Sequence, residues 1–438
     1  MLDYSNNEIG VILRNIRKKK GLRLEDVADE NISSATLSNL ERGISQVKIE
    51  KLNYVLEKYG IKLKEIPSLI REEQMLLEDL KLKMLSIESL QRKGKYDQAD
   101  ELLSSIEDGD DKPVAAEVKW LRGVNALFTK NYRKAEKEFT HAIRIASQNE
   151  MDTSNIEAFS FSDLGLCSYY QNDLQAALDY TNSGIDAFNP HGERKFLKYL
   201  LLRNKATFLE RMGKVMEGLK VVEEVWDEID QIDQLETRSS FYWLKSEFLR
   251  KSGALGDALQ CAQEGIRFAA INSHHGLFDL WSVLGSIYTT REEWEKAENC
   301  FRIAMEISLE QSNRFVRASI QMGHLYIKQK QWTKAEATLS KAVQQAENFE
   351  IAYKVDGLLA LGDLFFQQHN KYEAITYYRQ AIELAHRFNY TEKEYKGWYW
   401  LAECYKGDNE EEFQCCTVNM FNVQQKIYRG AGEVVAID

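Results

Sequence analysis

The chain has 438 residues, more than one ordinary domain, and its 44% hydrophobic content is enough for a sizeable core, while only 3 prolines suit a nearly all-helical fold. The net charge of −11 is unevenly spread: residues 1–66 carry 12 Lys and Arg against 10 Asp and Glu, so the remainder carries −13. An acidic remainder repels DNA and leaves the small N-terminal part as the nucleic-acid surface. No apolar stretch approaches the ~18 residues of a membrane span, and the opening Met1-Leu2-Asp3-Tyr4 is polar rather than signal-like, so a cytosolic chain without membrane contact is expected.

In chain order, Ser5-x-x-Glu8 reads as a capping box ahead of a helix with Ile9, Leu13 and Ile16 on one face, ending in Lys18-Lys19-Lys20-Gly21. A second helix is expected over Leu24–Asp29 with Val27 and Ala28 inward. A third runs from Ser33 to Arg42, with Ser33 as N-cap and Leu37 and Leu40 inward. Helices near Lys48–Tyr59 and Lys62–Ile66 complete a small core with Leu52, Leu56, Ile61 and Leu63. With Leu37 and Leu40 buried, Ser34, Ala35, Thr36, Ser38 and Asn39 face outward on the third helix. Asn39 can pair bidentately with adenine, and Ala35 or Thr36 can meet a thymine methyl; alternatively, these small residues merely let the helix pack. Arg14, Lys18, Lys19, Lys20, Arg23 and Lys48 are candidate phosphate contacts or ordinary solvated charges.

Beyond this head, Trp281-x2-Leu284-Gly285-x2-Tyr288 followed by Ala297, Phe301 and Ala304 is a tetratricopeptide (TPR) pattern. Gly285, Gly323 and Gly362 sit on first helices, and Ala297, Ala335 and Ala374 follow twelve residues later on second helices. Earlier units carry Gly123 with Ala135, Phe139 and Ala142, then Gly165 with Ala177. Two degenerate units centre on Gly218 and Ala258, and Ala99 marks a half-match. The marker positions 99, 135, 177, 218, 258, 297, 335 and 374 are spaced 36 to 42 residues apart, wider than the common TPR, and Leu401-Ala402-x2-Tyr405 opens a cap-like last unit. The expected fold is all-α: a helix-turn-helix head (1–66), a linker helix (67–84), a right-handed superhelix of about nine repeats (85–428) and a flexible tail (429–438). Pro67, Pro113 and Pro190 mark breaks.

The six cysteines, Cys167, Cys261, Cys300, Cys404, Cys415 and Cys416, lack metal-ligand spacing and read as buried free thiols, and His274-His275 reads as a loop. No metal, cofactor, phosphate loop or nucleophile–base set is indicated, so a non-enzymatic chain is expected. Stepping from the glycine markers to groove-facing neighbours on first helices gives Tyr169, Arg203, Asn204, Arg250, Ser282, Ser286, Arg317, His324 and Asp363, polar groups suited to an extended peptide or simply exposed on an inner helix.

Ile16-Arg17, Gly21-Leu22, Val27-Ala28, Leu37-Ser38 and Leu40-Glu41-Arg42-Gly43 resemble the Xre (Cro and phage-repressor) helix-turn-helix family. The resemblance implies that the third helix enters the major groove and that Arg17 pairs with Glu41 in a structural role. There are two departures. Leu24 stands where the family usually has a Gln that contacts the DNA backbone, and Glu30-Asn31-Ile32 lacks the usual Gly, although Asn31 can adopt the left-handed conformation. An Xre-type head before about nine long TPRs resembles the Rap/Rgg/NprR/PlcR/PrgX (RRNPP) peptide-pheromone receptors of Gram-positive bacteria, most similar in repeat number and length to the NprR-type regulators. That resemblance implies a homodimer on a palindromic duplex site, with a short signalling peptide in the concave face that changes promoter binding. Two other readings stay open: a Rap-like phosphatase-modulating or response-regulator-binding protein, with residues 69–105 available to bind the partner, and a ligand-free scaffold on DNA.

Overall fold

The computed structural model describes residues 6–43, 49–106, 109, 114–148, 153–272, 274–308, 312–346 and 351–430. Ser5, Lys48, Pro113 and residues 431–438 lie outside them. Every regular element among the described residues is helical, and none of their helices is long and apolar enough to cross a membrane. The chain divides into two compact units, Met1–Asp108 and Gly109–Asp438.

In the first unit, α1 (Asn6–Lys19), α2 (Leu24–Val27), α3 (Ser34–Glu41) and α4 (Ile49–Tyr59) close around Leu13, Val27, Leu37, Leu40, Leu52 and Leu56. A glycine sets the closest approach: a Cβ on Gly10 would stand 2.7 Å from the Leu40 carbonyl oxygen, so α1 crosses the end of α3 only without a side chain there. The second helix is a single turn, shorter than the expected Leu24–Asp29, because Ala28 is already extended. The expected helix over Lys62–Ile66 is instead a 3₁₀ turn, Leu63–Glu65, running directly into α5 (Ile66–Arg92). Pro67 lies in the first turn of α5, where its missing N–H costs nothing and its fixed φ favours starting a helix. Ile66 and Ile70 enter the head core, and the same unbroken 27-residue helix goes on to pair with α6 (Tyr96–Ser104) as the first hairpin, so the segment read as a linker is part of both.

The described residues of the second unit form eight more hairpins: α7 (Ala115–Phe128) with α8 (Tyr132–Ala146), α9 (Ile156–Tyr170) with α10 (Leu174–Ala187), α11 (Leu197–Arg211) with α12 (Val215–Trp226), and α13 (Leu235–Lys251) with α14 (Leu255–Asn272). They continue as α15 (His274–Thr290) with α16 (Trp294–Glu306), α17 (Asn313–Lys328) with α18 (Trp332–Ala346), α19 (Ile351–Gln367) with α20 (Lys371–Arg387), and α21 (Thr391–Tyr405) with α22 (Glu410–Gly430). His274-His275 therefore opens α15 rather than forming a loop, since the preceding connection is shorter than the sequence suggested. Each hairpin packs against the next, which is the all-α repeat architecture expected.

The marker residues explain the packing. Ala99, Ala135, Ala177, Ala258, Ala297, Ala335 and Ala374 are fully buried on second helices. A Cβ on Gly123, Gly285, Gly323 or Gly362 would collide with Phe139, Phe301, Leu339 or Tyr378 of the same hairpin at 2.4–2.6 Å, so the missing side chain is the space the aromatic or leucine fills. Gly218 takes the alanine position in its hairpin because Phe248 would stand 2.1 Å from its Cβ. Five residues before each marker, the turn between paired helices uses a left-handed residue: Gly94, Lys130, Asn172, Gly213, Gly253, Glu292, Lys330 and His369, with Gly407 continuing the series. Five cysteines are buried, but Cys415 is exposed on α22.

Candidate functional site

On the head, Ser33 caps α3 by accepting the Thr36 N–H at 3.1 Å, and its hydroxyl also lies 2.8 Å from the Thr36 hydroxyl. Thr36 is thus partly committed to the cap. Ala35 and Asn39 are exposed, and Ser34 and Ser38 half-exposed, along the outer face of the helix. Arg14, Lys18, Lys19, Lys20 and Arg23 are exposed on α1 and the turn after it. This is a short neutral helix face flanked by cations.

Arg17 does not join those cations. Its Nε and Nη2 donate to the two carboxylate oxygens of Glu41 at 2.6 and 2.7 Å, and Nη1 donates to the Leu22 carbonyl at 2.8 Å, all at the buried α1–α3 junction. The Glu41 hydrogen bond holds the guanidinium charged against the burial that opposes it. The pair fixes the angle at which α3 is presented.

The α2–α3 turn is built differently from the sequence expectation. Asn31 is not left-handed. Instead the Asp29 carboxylate accepts the Asn31 and Ile32 N–H groups at 2.9 and 3.2 Å, the Tyr54 hydroxyl and the Lys58 ammonium, while Lys58 also donates to the Val27 carbonyl at 2.6 Å. An aspartate turn tied to α4 thus replaces the glycine. Sequence reasoning missed this network because its members are 25 and more residues apart. Leu24 packs against the head core, so the position holds an apolar contact in place of a polar one.

In the second unit, consecutive first helices touch through polar rungs. Trp120 Nε1 donates to Asp163 at 2.7 Å, Asn204 to Ser162 at 3.2 Å, Lys251 to Glu210 at 2.7 Å and Gln321 to Ser286 at 3.4 Å; Arg317 pairs with Asp279, Lys393 with Asp356, and Lys396 with Asp363 at 3.6 Å. Burial pushes the Asp163 carboxyl up to about 7, the Trp120 hydrogen bond only partly opposing it. Several candidate groove residues therefore lie on these rungs with partners of their own: Asn204 and Ser286, Arg317, and Asp363, which also accepts the Tyr378 hydroxyl at 2.8 Å. Arg250 pairs with Glu247 of its own helix. Ser282 is buried with its hydroxyl unpartnered, and Arg203 keeps its Nε buried and unpartnered. Burial lowers the Arg203 and His324 pKa values.

The structure gathers a different set around a cavity of about 280 Å³. Tyr169, stacked on Phe208 with ring centroids 5.3 Å apart, is the one sequence candidate that lines it. The others come from helix ends: Asn172 after α9, Glu210 and Arg211 closing α11, Lys251 closing α13, Tyr353 and Asp356 opening α19, and Tyr390, Glu392 and Lys393 at the start of α21. Arg211 is 41% exposed at its side chain although protein surrounds it. Burial opposes its charge, but Tyr169, Glu210, Tyr353 and Asp356 outweigh that and raise its pKa. Burial raises that of Glu392. Three tyrosines and charges of both signs make a wall able to hold a small chain with its own polar backbone and mixed charges. Stepping from mid-helix glycines could not reach these positions; the paired charges Glu210-Arg211 and Arg250-Lys251 at helix ends were the available signal.

A helix-turn-helix family model matches residues 13–66, and tetratricopeptide-repeat models match 280–315 and 315–387. A search of curated protein sequences finds no match. Among solved structures, a Rap protein complexed with competence and sporulation factor aligns over 81% of this chain and 99% of its own at 14% identity, with a TM-score of 0.58. The apo form of the quorum sensor NprR from B. thuringiensis aligns over 80% of this chain and 99% of its own at 15% identity, TM-score 0.57. NprR in complex with its cognate peptide NprX aligns over 79% and 99% at 14% identity, TM-score 0.55. At these identities the likeness to the Rap and NprR structures is one of fold alone, while the helix-turn-helix and the tetratricopeptide repeats are assigned by the family models.

Proposed function

We propose that this chain is a DNA-binding transcriptional regulator of the RRNPP type, whose TPR array binds a short signalling peptide and thereby changes promoter binding. Ser34, Ala35, Thr36, Ser38 and Asn39 read bases, and Arg14, Lys18, Lys19, Lys20 and Arg23 hold phosphates. One head covers one half-site, so the active form is a homodimer on a two-fold duplex. The observation that carries the ligand reading is the cavity at Tyr169, Arg211, Tyr353 and Lys393, whose walls come from hairpins early and late in the array. A peptide there contacts early and late hairpins of the array at once, so its binding energy bears on array shape. Arg203 and His324 extend the polar surface along the first helices.

Isothermal calorimetry of the full chain against short synthetic peptides tests this. Arg211→Ala and Tyr353→Ala should each weaken the peptide at least tenfold, while Lys19→Ala leaves it unchanged. Peptides that bind equally well to all three variants would move the ligand elsewhere.

A further inference from the structure

Helix α5 leaves four large apolar side chains uncovered, of which Met75 and Leu82 lie on one face. Met75, Leu76, Leu82 and Leu85 are 65%, 59%, 64% and 60% exposed, unusual for four large apolar side chains within eleven residues of one helix. Met75, Asp79, Leu82, Ser86 and Ser89 follow one another at alternating four- and three-residue steps, the 3.5-residue period of a helix seam that meets another helix. Ser86 and Ser89 lie with Leu82, Leu85 and Leu90 along a shallow groove.

Charge divides along the helix. Residues 66–80 carry Arg71 against Glu72, Glu73, Glu78 and Asp79, whereas residues 81–95 carry Lys81, Lys83, Arg92, Lys93 and Lys95 against Glu88. The helix dipole rewards acids in the first turn and bases in the last, but it falls off within a turn and gives no reason for Glu78 and Asp79 to face Lys81 and Lys83 across the midpoint. It also leaves the exposed Met75 and Leu82 unexplained.

We propose that α5 pairs antiparallel with α5 of a second copy of this chain, about a two-fold axis between residues 80 and 81. That arrangement lays Met75 over the partner's Ser86 and Leu82 beside the partner's Asp79, and brings Asp79 within reach of the partner's Lys83. A parallel pair would set acid on acid and base on base. The axis is of the kind two DNA heads on a two-fold site require, but the pairing stands on the helix alone and its failure leaves the DNA reading untouched.

Disulfide trapping in the full chain tests both pairing and direction. Cys415→Ser removes the exposed native thiol, the other five being buried. In that background, Met75→Cys together with Ser86→Cys should give a covalent dimer under mild oxidation. Either substitution alone should not, because in the antiparallel register identical positions stand about 16 Å apart along the helix, beyond disulfide reach. Asp79→Lys should lower the trapped fraction several-fold, and adding Lys83→Asp should restore it. Equal trapping by the single variants would establish a parallel pair and overturn the proposal. Absence of trapping in the double variant, with sedimentation unchanged by Asp79→Lys, would overturn it as well.

Discussion

The side-chain amide of Asn172 donates to the main-chain carbonyl of Phe388 at 3.2 Å, joining the α9–α10 turn to the end of α20. Within the second unit the array therefore turns far enough for its second and seventh hairpins to meet beside the cavity. A single side-chain bond contributes only about 0.5–1.5 kcal/mol, beside the Arg211 charge that faces Tyr353 and Asp356 across the same closure. Asn172→Ala should increase the radius of gyration measured by small-angle scattering and leave helix content intact. An unchanged profile would mean that other contacts hold the two ends together.

The head should carry an acid-sensitive turn. Hydrogen bonds from Lys58 first, then Tyr54 and the N–H groups of Asn31 and Ile32, hold the Asp29 carboxyl well below its ordinary 3.8. A folded value below the unfolded one stabilises above pH 3.8 and is lost as pH falls further toward the folded value. Hydrogen exchange over residues 24–41 should be faster in Asp29→Asn than in wild type at neutral pH, and the difference should shrink as pH falls below 3.8. A difference that persists unchanged into strong acid would assign the effect to something other than the carboxylate.

Turns between paired helices should accept glycine with profit. Glu292 holds φ 60° where Gly213 and Gly253 serve in neighbouring hairpins. A side chain in the left-handed region costs about 1–2 kcal/mol, so Glu292→Gly should raise the urea midpoint, less whatever the Glu292 side chain contributes and the added chain entropy of glycine removes. A lower midpoint would show that those opposing terms dominate.

Base and phosphate contacts should separate in binding assays. On a duplex enriched from a random pool, Asn39→Ala should lose about 1–3 kcal/mol and relax preference at one base pair. Lys19→Ala should weaken specific and random duplex alike and reduce the salt slope. Equal losses by both variants on both duplexes would remove α3 as the reader.

The repeats were legible because the same steric problem recurs: Gly285 and Phe301, or Gly362 and Tyr378, must vary together wherever two helices cross closely. Even the degenerate hairpins carried a second signal, Gly213 and Gly253 five residues before the markers. The Arg17–Glu41 pair was legible through family resemblance. The cavity was not, because Tyr169, Arg211, Tyr353 and Lys393 are brought together by the cumulative rotation of the array, which no local spacing encodes. The Asp29 turn was missed for a related reason, since its partners Tyr54 and Lys58 come from α4.

The central claim is that peptide and DNA act on one another through this chain, and native mass spectrometry of the full chain with its selected duplex tests it most directly. Adding short synthetic peptides should produce chains carrying one peptide each and, with them, a changed fraction of the DNA-bound dimer. Peptide-laden chains whose DNA-bound fraction matches that of the peptide-free chains would contradict the account.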